Sequence, residues 1–291
     1  MGKVLRCLTQ DATVMAMVLD AGDIVSQAEQ YHHTSAVTTA ALGRLLTAAS
    51  MMGMMLKGKE DSLTLRVAGG GPAGTLTAVA DSAGNVRGFV ENPVVEIPLK
   101  SNGKLDVSGA VGTNGMLYVI RDTVGEPYTG CTPLVSGEIA EDVTSYYATS
   151  EQTPTVCALG VLVNPDLSVK VAGGLLLQLL PFCPDDIIDK VEQNVSKLPS
   201  MTEMLADGLT PMQICEKVLD GMPFDVLDTA NPTYICNCSH ERVERALLAM
   251  SAEDLRSLPD ENDTVTVECS FCDKVYRYTA ADIEKLLSKK E

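Results

Sequence analysis

Tryptophan is absent from the 291 residues, phenylalanine occurs four times, and aromatic residues together make up 4%. The core must therefore be aliphatic, filled by Leu, Val, Ile, Ala and Met. Histidine is nearly as scarce. His32, His33 and His240 are the only three, and two of them are adjacent, which leaves few options for acid–base catalysis. The sequence has no H-E-x-x-H and no G-x-S-x-G, and no Lys-Ser or Lys-Thr follows a glycine-rich loop. Zinc-peptidase, nucleophile-elbow and P-loop chemistry are thereby excluded. Basic residues number 22 against 39 acidic ones, for a net charge of −17. Such a surface repels phosphate backbones and anionic membranes, so neither nucleic acid nor membrane is expected as a partner. Long apolar runs are missing too. The longest, 35–57, is interrupted by Arg44, with 12 residues between Arg44 and Lys57. That is too short to span a bilayer and reads as a buried helix. The first residues, MGKVLRCLTQD, lack an apolar run and a cleavage site, so a cytoplasmic protein is expected.

What is present divides the chain into three parts, in an α+β fold. Residues 1–180 read as a large α/β core domain with an antiparallel β-meander and buried helices. KVLRCLT and TVMAMVL form a strand pair, and 23–57 is helical with a break near YHHTS. Met51, Met52, Met54 and Met55 crowd the end of that helix. They read as core packing, although methionine also suits adaptable binding surfaces. The run from Ser62 to Asn92 alternates β-rich segments with glycine turns, as a meander does. Its Gly69, Gly71 and Gly74 satisfy G-x-G-x-x-G, but the strand-like TLTAVAD follows where a dinucleotide site needs a helix. MLYVIRD, TSYYATS and CALGVLV read as further β segments. NPDLSVKVAGGLLLQLLP reads as a turn, a strand and a buried strand.

Residues 181–231 read as a linker of short amphipathic helices. One starts at Pro184 with two acids behind it. Another has Thr210 as N-cap, Pro211 at the first position, Gln213 closing a capping box and Gly221 ending it. Helices this short need something to pack on.

Residues 232–291 contain 8 Lys and Arg and 12 Asp and Glu, a net charge of −4, which again disfavours nucleic acid. A segment of this length buries little surface and often needs a staple. It contains Cys236 and Cys238 in YICNCSHER, and Cys269 and Cys272 in VECSFCDKV. The first pair precedes a helix with Ser239 as N-cap. The second lies between two strand-like runs as a hairpin knuckle, and a closing helix starts at Thr279. Four thiolates in this arrangement read as a closed tetrahedral Zn²⁺ site, with no open position for hydrolytic catalysis, and an iron–sulfur cluster is the alternative. His240 reads as a residue of the helix's first turn and not as a ligand. Both C-x-C and C-x-x-C can also close as disulfides. Oxidation would then remove the ligands and with them about 10–16 kcal/mol of metal-linked folding energy. Two readings stay open here: a fixed zinc ribbon, or a metal held in order to be lost.

The C-x-C and C-x-x-C pairs, together with GGGPAG, AVGTNGMLYVIRD, TSYYATSEQTP and LGVLVNPD, resemble the heat-shock protein 33 family of redox-regulated holdase chaperones. The resemblance covers essentially the whole chain. It implies a non-enzymatic protein that is inactive when reduced and zinc-loaded. Oxidants would form the disulfides Cys236–Cys238 and Cys269–Cys272, expel the zinc and unfold the C-terminal module and linker. Unfolding client proteins would then be held by a homodimer without ATP. The alternatives are a structural zinc-ribbon interaction protein and a thiol–disulfide oxidoreductase. Cys7, Cys131, Cys157, Cys183 and Cys215 lie outside the motif and read as buried small apolar residues. Cys183 and Cys215, being in the linker, could mispair once it unfolds.

Overall fold

Alternating apolar residues in short runs, punctuated by glycine turns, build two antiparallel sheets. The computed structural model describes residues 2–123, 127–261 and 263–288. It divides into two compact units, Met1–Ile235 and Cys236–Glu291.

In the first unit, β1 (Lys3–Thr9) and β2 (Val14–Asp20) form the expected hairpin. Two helices follow, α1 (Gly22–His32) and α2 (Ala36–Gly53), broken at His33, whose φ is +47°. The meander is β3 (Ser62–Ala68), β4 (Thr75–Asp81) and β5 (Val86–Val90). Next come α3 (Val107–Val111), β6 (Met116–Asp122), β7 (Tyr128–Pro133), α4 (Ala140–Thr149), β8 (Thr155–Val163) and β9 (Val169–Leu179). Three helices, α5 (Asp185–Ser196), α6 (Met201–Ala206) and α7 (Pro211–Val218), lead to β10 (Phe224–Ala230). One sheet has the order β10-β1-β2-β9-β8 and the other β5-β4-β3-β6-β7.

Helix α2 packs on both sheets, and every residue in it except Ala36 and Arg44 is buried. This is the apolar 35–57 run, and among the described residues no helix is long and apolar enough to cross a membrane. Arg44 is tolerated because its guanidinium reaches the Glu138 carboxylate at 2.5 Å, and Lys100 bonds the same carboxylate. Burial pushes the Glu138 carboxyl up, but these two cations outweigh it and hold it below the usual range. Met51 and Met52 are buried, and Met54 and Met55 pack against the same core. At Gly43 a Cβ would meet Val25 at 2.7 Å and Val161 at 3.0 Å, so only glycine lets α2 approach this closely.

The outer face of the first sheet carries a second apolar core. Strand alternation turns Leu5 and Cys7 of β1 to this side, while Val4 joins the core around α2. Met201 and Met204 of α6 and Ile214, Cys215 and Val218 of α7 close over it. The helices carry their own caps. Ser200 and Glu203 form a capping box, as do Thr210 and Gln213, with Pro211 at the first position.

Three expectations change. TSYYATS lies in helix α4, not in a strand. Its β-prone tyrosines are overruled because Val143, Tyr146 and Tyr147 are buried together at helical spacing. The Asp142 carboxylate fixes the helix start by accepting from the backbone N–H groups of Val135, Ser136, Gly137 and Ile139 at 2.7–3.3 Å. The two strands expected across 164–181 are one, β9. Its Gly173 and Gly174 stay in the ladder, paired with Asp20 and Leu19 of β2. The run FDVLDTA, read only as a connection, is strand β10, which pairs with β1.

Gly69, Gly71 and Gly74 form the β3–β4 turn. A Cβ at Gly69 or Gly71 would lie 2.4 Å from a carbonyl oxygen of Gly112 or Ala110, so these glycines serve close backbone approach.

Asp142→Ala would leave four backbone donors without their charged acceptor. The expected cost is about 3 kcal/mol of unfolding free energy, read as a lower urea midpoint at unchanged slope.

Candidate metal centre

The second unit is built from α8 (His240–Leu248), α9 (Ala252–Ser257), the hairpin β11 (Thr264–Glu268) with β12 (Val275–Thr279), and α10 (Ala280–Ser288). Cys236 and Cys238 lie just before α8, whose N-cap Ser239 accepts from the Arg242 N–H at 3.2 Å. Cys269 and Cys272 sit on the turn between β11 and β12. There the Cys269 carbonyl accepts from the N–H groups of Cys272 and Asp273, and the Cys269 N–H donates to the Lys274 carbonyl. Asp273 closes the turn at φ +56°. Thr279 and Asp282 cap α10 by exchanging side-chain and backbone hydrogen bonds.

These elements bring all four expected cysteines together. Their sulfurs lie within 4.8 Å of one another. Cys236 Sγ is 3.6 Å from Cys269 Sγ, and Cys238 Sγ is 3.5 Å from Cys272 Sγ. Metal–sulfur bonds of about 2.3 Å place tetrahedral sulfurs roughly 3.8 Å apart. A disulfide needs about 2.05 Å. The four thiols are free, and their spacing fits a tetrahedral metal ion held by sulfur alone. These two contacts cross between the two motifs, so one ion could be held by both.

His240 is the first residue of α8, and its ring packs edge-on against Tyr276 and Tyr278 at centroid distances of 4.8 and 5.9 Å. The sulfur cluster does not include it.

Sequence reasoning missed one member of the site. The Tyr276 hydroxyl donates to Cys238 Sγ at 3.0 Å. The available signal was the alternation of β12, which buries Tyr276 and Tyr278 and exposes Val275 and Arg277. Burial pushes the Cys238 thiol up, but the Tyr276 hydroxyl and the neighbouring sulfurs outweigh it and hold it at about 7. Desolvation pushes the Cys236 and Cys272 thiols upward. Tyr276→Phe should keep the fold and weaken metal binding by about 10–100-fold, as loss of a bond to a ligand does. Competition with a chromophoric chelator measures it.

The five remaining cysteines divide. Cys7 and Cys215 are buried, and Cys157 and Cys183 are half-buried. Cys131 is exposed, contrary to the reading of all five as buried. It lies on β7, an edge strand whose alternation turns Gly130 and Thr132 inward and Cys131 outward.

Comparison with known proteins agrees along the chain. The family model described as Hsp33 protein matches residues 2–279. The 33 kDa chaperonin of Agathobacter rectalis is 46% identical over 284 residues, covering 97% of this chain and 98% of that one. The 33 kDa chaperonin of Clostridioides difficile is 47% identical over 287 residues, covering 98% of each. The crystal structure of the 33 kDa chaperonin (heat shock protein 33 homolog) from Thermotoga maritima superposes with a TM-score of 0.91 at 33% identity. It covers 99% of this chain and 98% of that one. The chain belongs to the Hsp33 family.

Proposed function

We propose that this chain is a redox-controlled holdase chaperone whose switch is the four-cysteine centre. The observation that carries this reading is the closed set of four thiols at tetrahedral spacing, in a unit whose described apolar core is small. The relatives' name, 33 kDa chaperonin, supports the chaperone part. The ion is Zn²⁺, which suits four thiolates and has no redox chemistry of its own. When bound, it supplies folding energy to the C-terminal unit.

The residues do the rest. An oxidant converts Cys236 with Cys238, and Cys269 with Cys272, to disulfides, and each bond formed removes two ligands. That the pairs joined are the sequence neighbours is what the family resemblance implies, and C-x-C and C-x-x-C do stay within reach after the unit unfolds. The domain organisation follows from this reading: a core at 1–180, a releasable linker at 181–231 and the redox module at 232–291. Short capped helices over the outer face of the first sheet suit a layer that lifts to expose apolar surface. The protein works in the cytoplasm as a homodimer, binds unfolded clients and needs no ATP.

The test follows light scattering of a thermally unfolding client, with zinc release read in the same cuvette. Suppression of scattering only after peroxide at elevated temperature, in step with zinc loss, is expected. Zinc retention with no protection of the client would leave the centre as a fixed staple.

A further inference from the structure

A cavity in the first unit is lined by buried polar groups whose hydrogen bonds are incomplete. Its volume is about 330 Å³, and it lies where the end of α2, the start of β3, α4 and β9 meet. Met52, Met55, Leu56 and Leu63 form its apolar wall. Asp61, Tyr147 and Gln178 line the same space and are only 7%, 4% and 4% exposed.

The Gln178 amide is oriented by its neighbour across the ladder. The Thr155 hydroxyl donates to the Thr153 carbonyl at 2.9 Å, so it must accept from Gln178, whose amide nitrogen lies at 3.2 Å. The Gln178 amide oxygen is therefore the other end, and no donor among the described residues reaches it. One Asp61 oxygen accepts from the Gly58 N–H at 2.8 Å. The other has no donor among the described residues, and no described cation pairs with this carboxylate. The unpartnered side-chain atoms sealed from solvent are at Arg6, Arg44 and Asp228, so the free oxygens of Asp61 and Gln178 open on the cavity. The Tyr147 hydroxyl donates to the Met55 sulfur at 3.5 Å, which leaves its oxygen to accept. Arg121, also on the wall, is paired with Glu151 at 2.8 Å. The buried lining thus offers three acceptors and lacks donors. Buried acceptors left unmatched cost free energy, and a carboxylate without a cation costs most. A bare metal ion does not suit the site. Outside the four cysteines, no three metal-ligating side chains cluster among the described residues, and this wall is thioether and aliphatic.

We propose that this cavity binds a small organic cation, a primary ammonium on a short aliphatic body. Asp61 is its counter-ion, and its three N–H donors match the oxygens of Asp61, Gln178 and Tyr147. The body lies on Met52, Met55, Leu56 and Leu63, where the flexible thioethers adapt to its shape. Ligand pockets run from about 300 to 1,000 Å³, so a cavity of this size takes a branched chain of a few carbons. Free amino acids carry such an ammonium, and so do amines without a carboxylate. The exposed Lys57 on the lining is the cation a ligand carboxylate would meet. The site uses none of the four metal-centre cysteines and does not depend on the chaperone reading.

The test titrates isopentylammonium chloride into the full reduced chain carrying isotope-labelled methionine methyls, reading heat and methyl shifts. One saturable site is expected, with shifts at Met52 and Met55. Isopentyl alcohol has the shape without the charge, and the trimethylated ammonium has the charge without N–H donors. Each should bind about 10–100-fold more weakly. Asp61→Asn should weaken the ammonium by a similar factor and leave the alcohol unchanged, and the ligand series gives its answer whether or not that variant folds. Leucine binding more tightly than the amine, with the gain lost in Lys57→Ala, supports the site with free amino acids as its ligands. Leucine binding equally or more weakly supports it with amines. No saturable binding, equal binding of the amine and either analogue, or shifts confined to other methionines overturns the proposal. Binding of potassium or calcium chloride in place of the amine overturns it too.

Discussion

Cys269→Ser is expected to abolish metal retention and to unfold Cys236–Glu291 while Met1–Ile235 keeps its structure. Among the described residues the second unit has eight buried apolar side chains: Leu247, Leu255, Val265, Tyr276, Tyr278, Ile283, Leu286 and Leu287. Ordering each of its residues costs about 1–2 kcal/mol of backbone entropy, which so small a core cannot offset. A bound tetrahedral metal contributes about 10–16 kcal/mol and decides the balance. Serine is nearly isosteric with cysteine but is a far poorer ligand for a soft site, so the substitution removes the bond without crowding the turn. Metal content and amide exchange, read together, are the measurement. Exchange in β11, β12 and α10 should rise to the rate of an unfolded chain, while β3, β4 and β6 stay protected. Protection of the second unit at the parent level in a metal-free variant would sink the assignment of the metal as its main source of stability. A chelator strong enough to strip the parent should give the same pattern, and added metal should reverse it.

The parts of this centre that local chemistry fixes were legible in the sequence. Ligand spacing, the caps at Ser239 and Thr279, and the hairpin between the strand-like runs are short-range signals, and the four sulfurs meet as expected. The β3–β5 meander and the caps at Thr210 and Gln213 were legible for the same reason. What escaped depends on partners distant in sequence. Strand β10 is an edge strand with Val226 and Leu227 exposed, so its pattern lacks a buried face, and its pairing with β1 reaches across more than two hundred residues. TSYYATS has strand composition, and its helix is set by Asp142 gathering the N–H groups of the preceding loop. The Tyr276 bond to Cys238 likewise exists only once the hairpin has packed against the segment before α8.

Ile214→Asp is expected to bind an apolar dye, and to hold unfolding clients, without oxidant and with the metal still bound. Ile214 is fully buried, on the eight-residue helix α7, among Leu5, Val14, Val18 and Leu177. A carboxylate there has no partner. It must be desolvated or protonated, or the helix must leave, and the first two cost several kcal/mol. Leaving costs less, because α6 and α7 are short and carry their own caps, α5 has no side-chain cap, and the three helices close only one face of the first sheet. The core around α2, which holds the two sheets together, does not include Ile214. Release should therefore be local. Amide exchange should become fast across α5–α7 while β3, β4 and β6 remain protected, and dye fluorescence should rise severalfold at full metal occupancy. Ile214→Ala should give the same change in weaker form, since a cavity costs about 2–5 kcal/mol and leaves no charge behind. If exchange accelerates equally in both sheets, the layer is part of one cooperative unit and cannot act as a lid. If it accelerates only in the helices but clients still aggregate, the apolar face beneath them is not where clients are held. Separating release of the layer from loss of the metal is the purpose of this variant, since under the proposed mechanism oxidation of the parent would produce both at once.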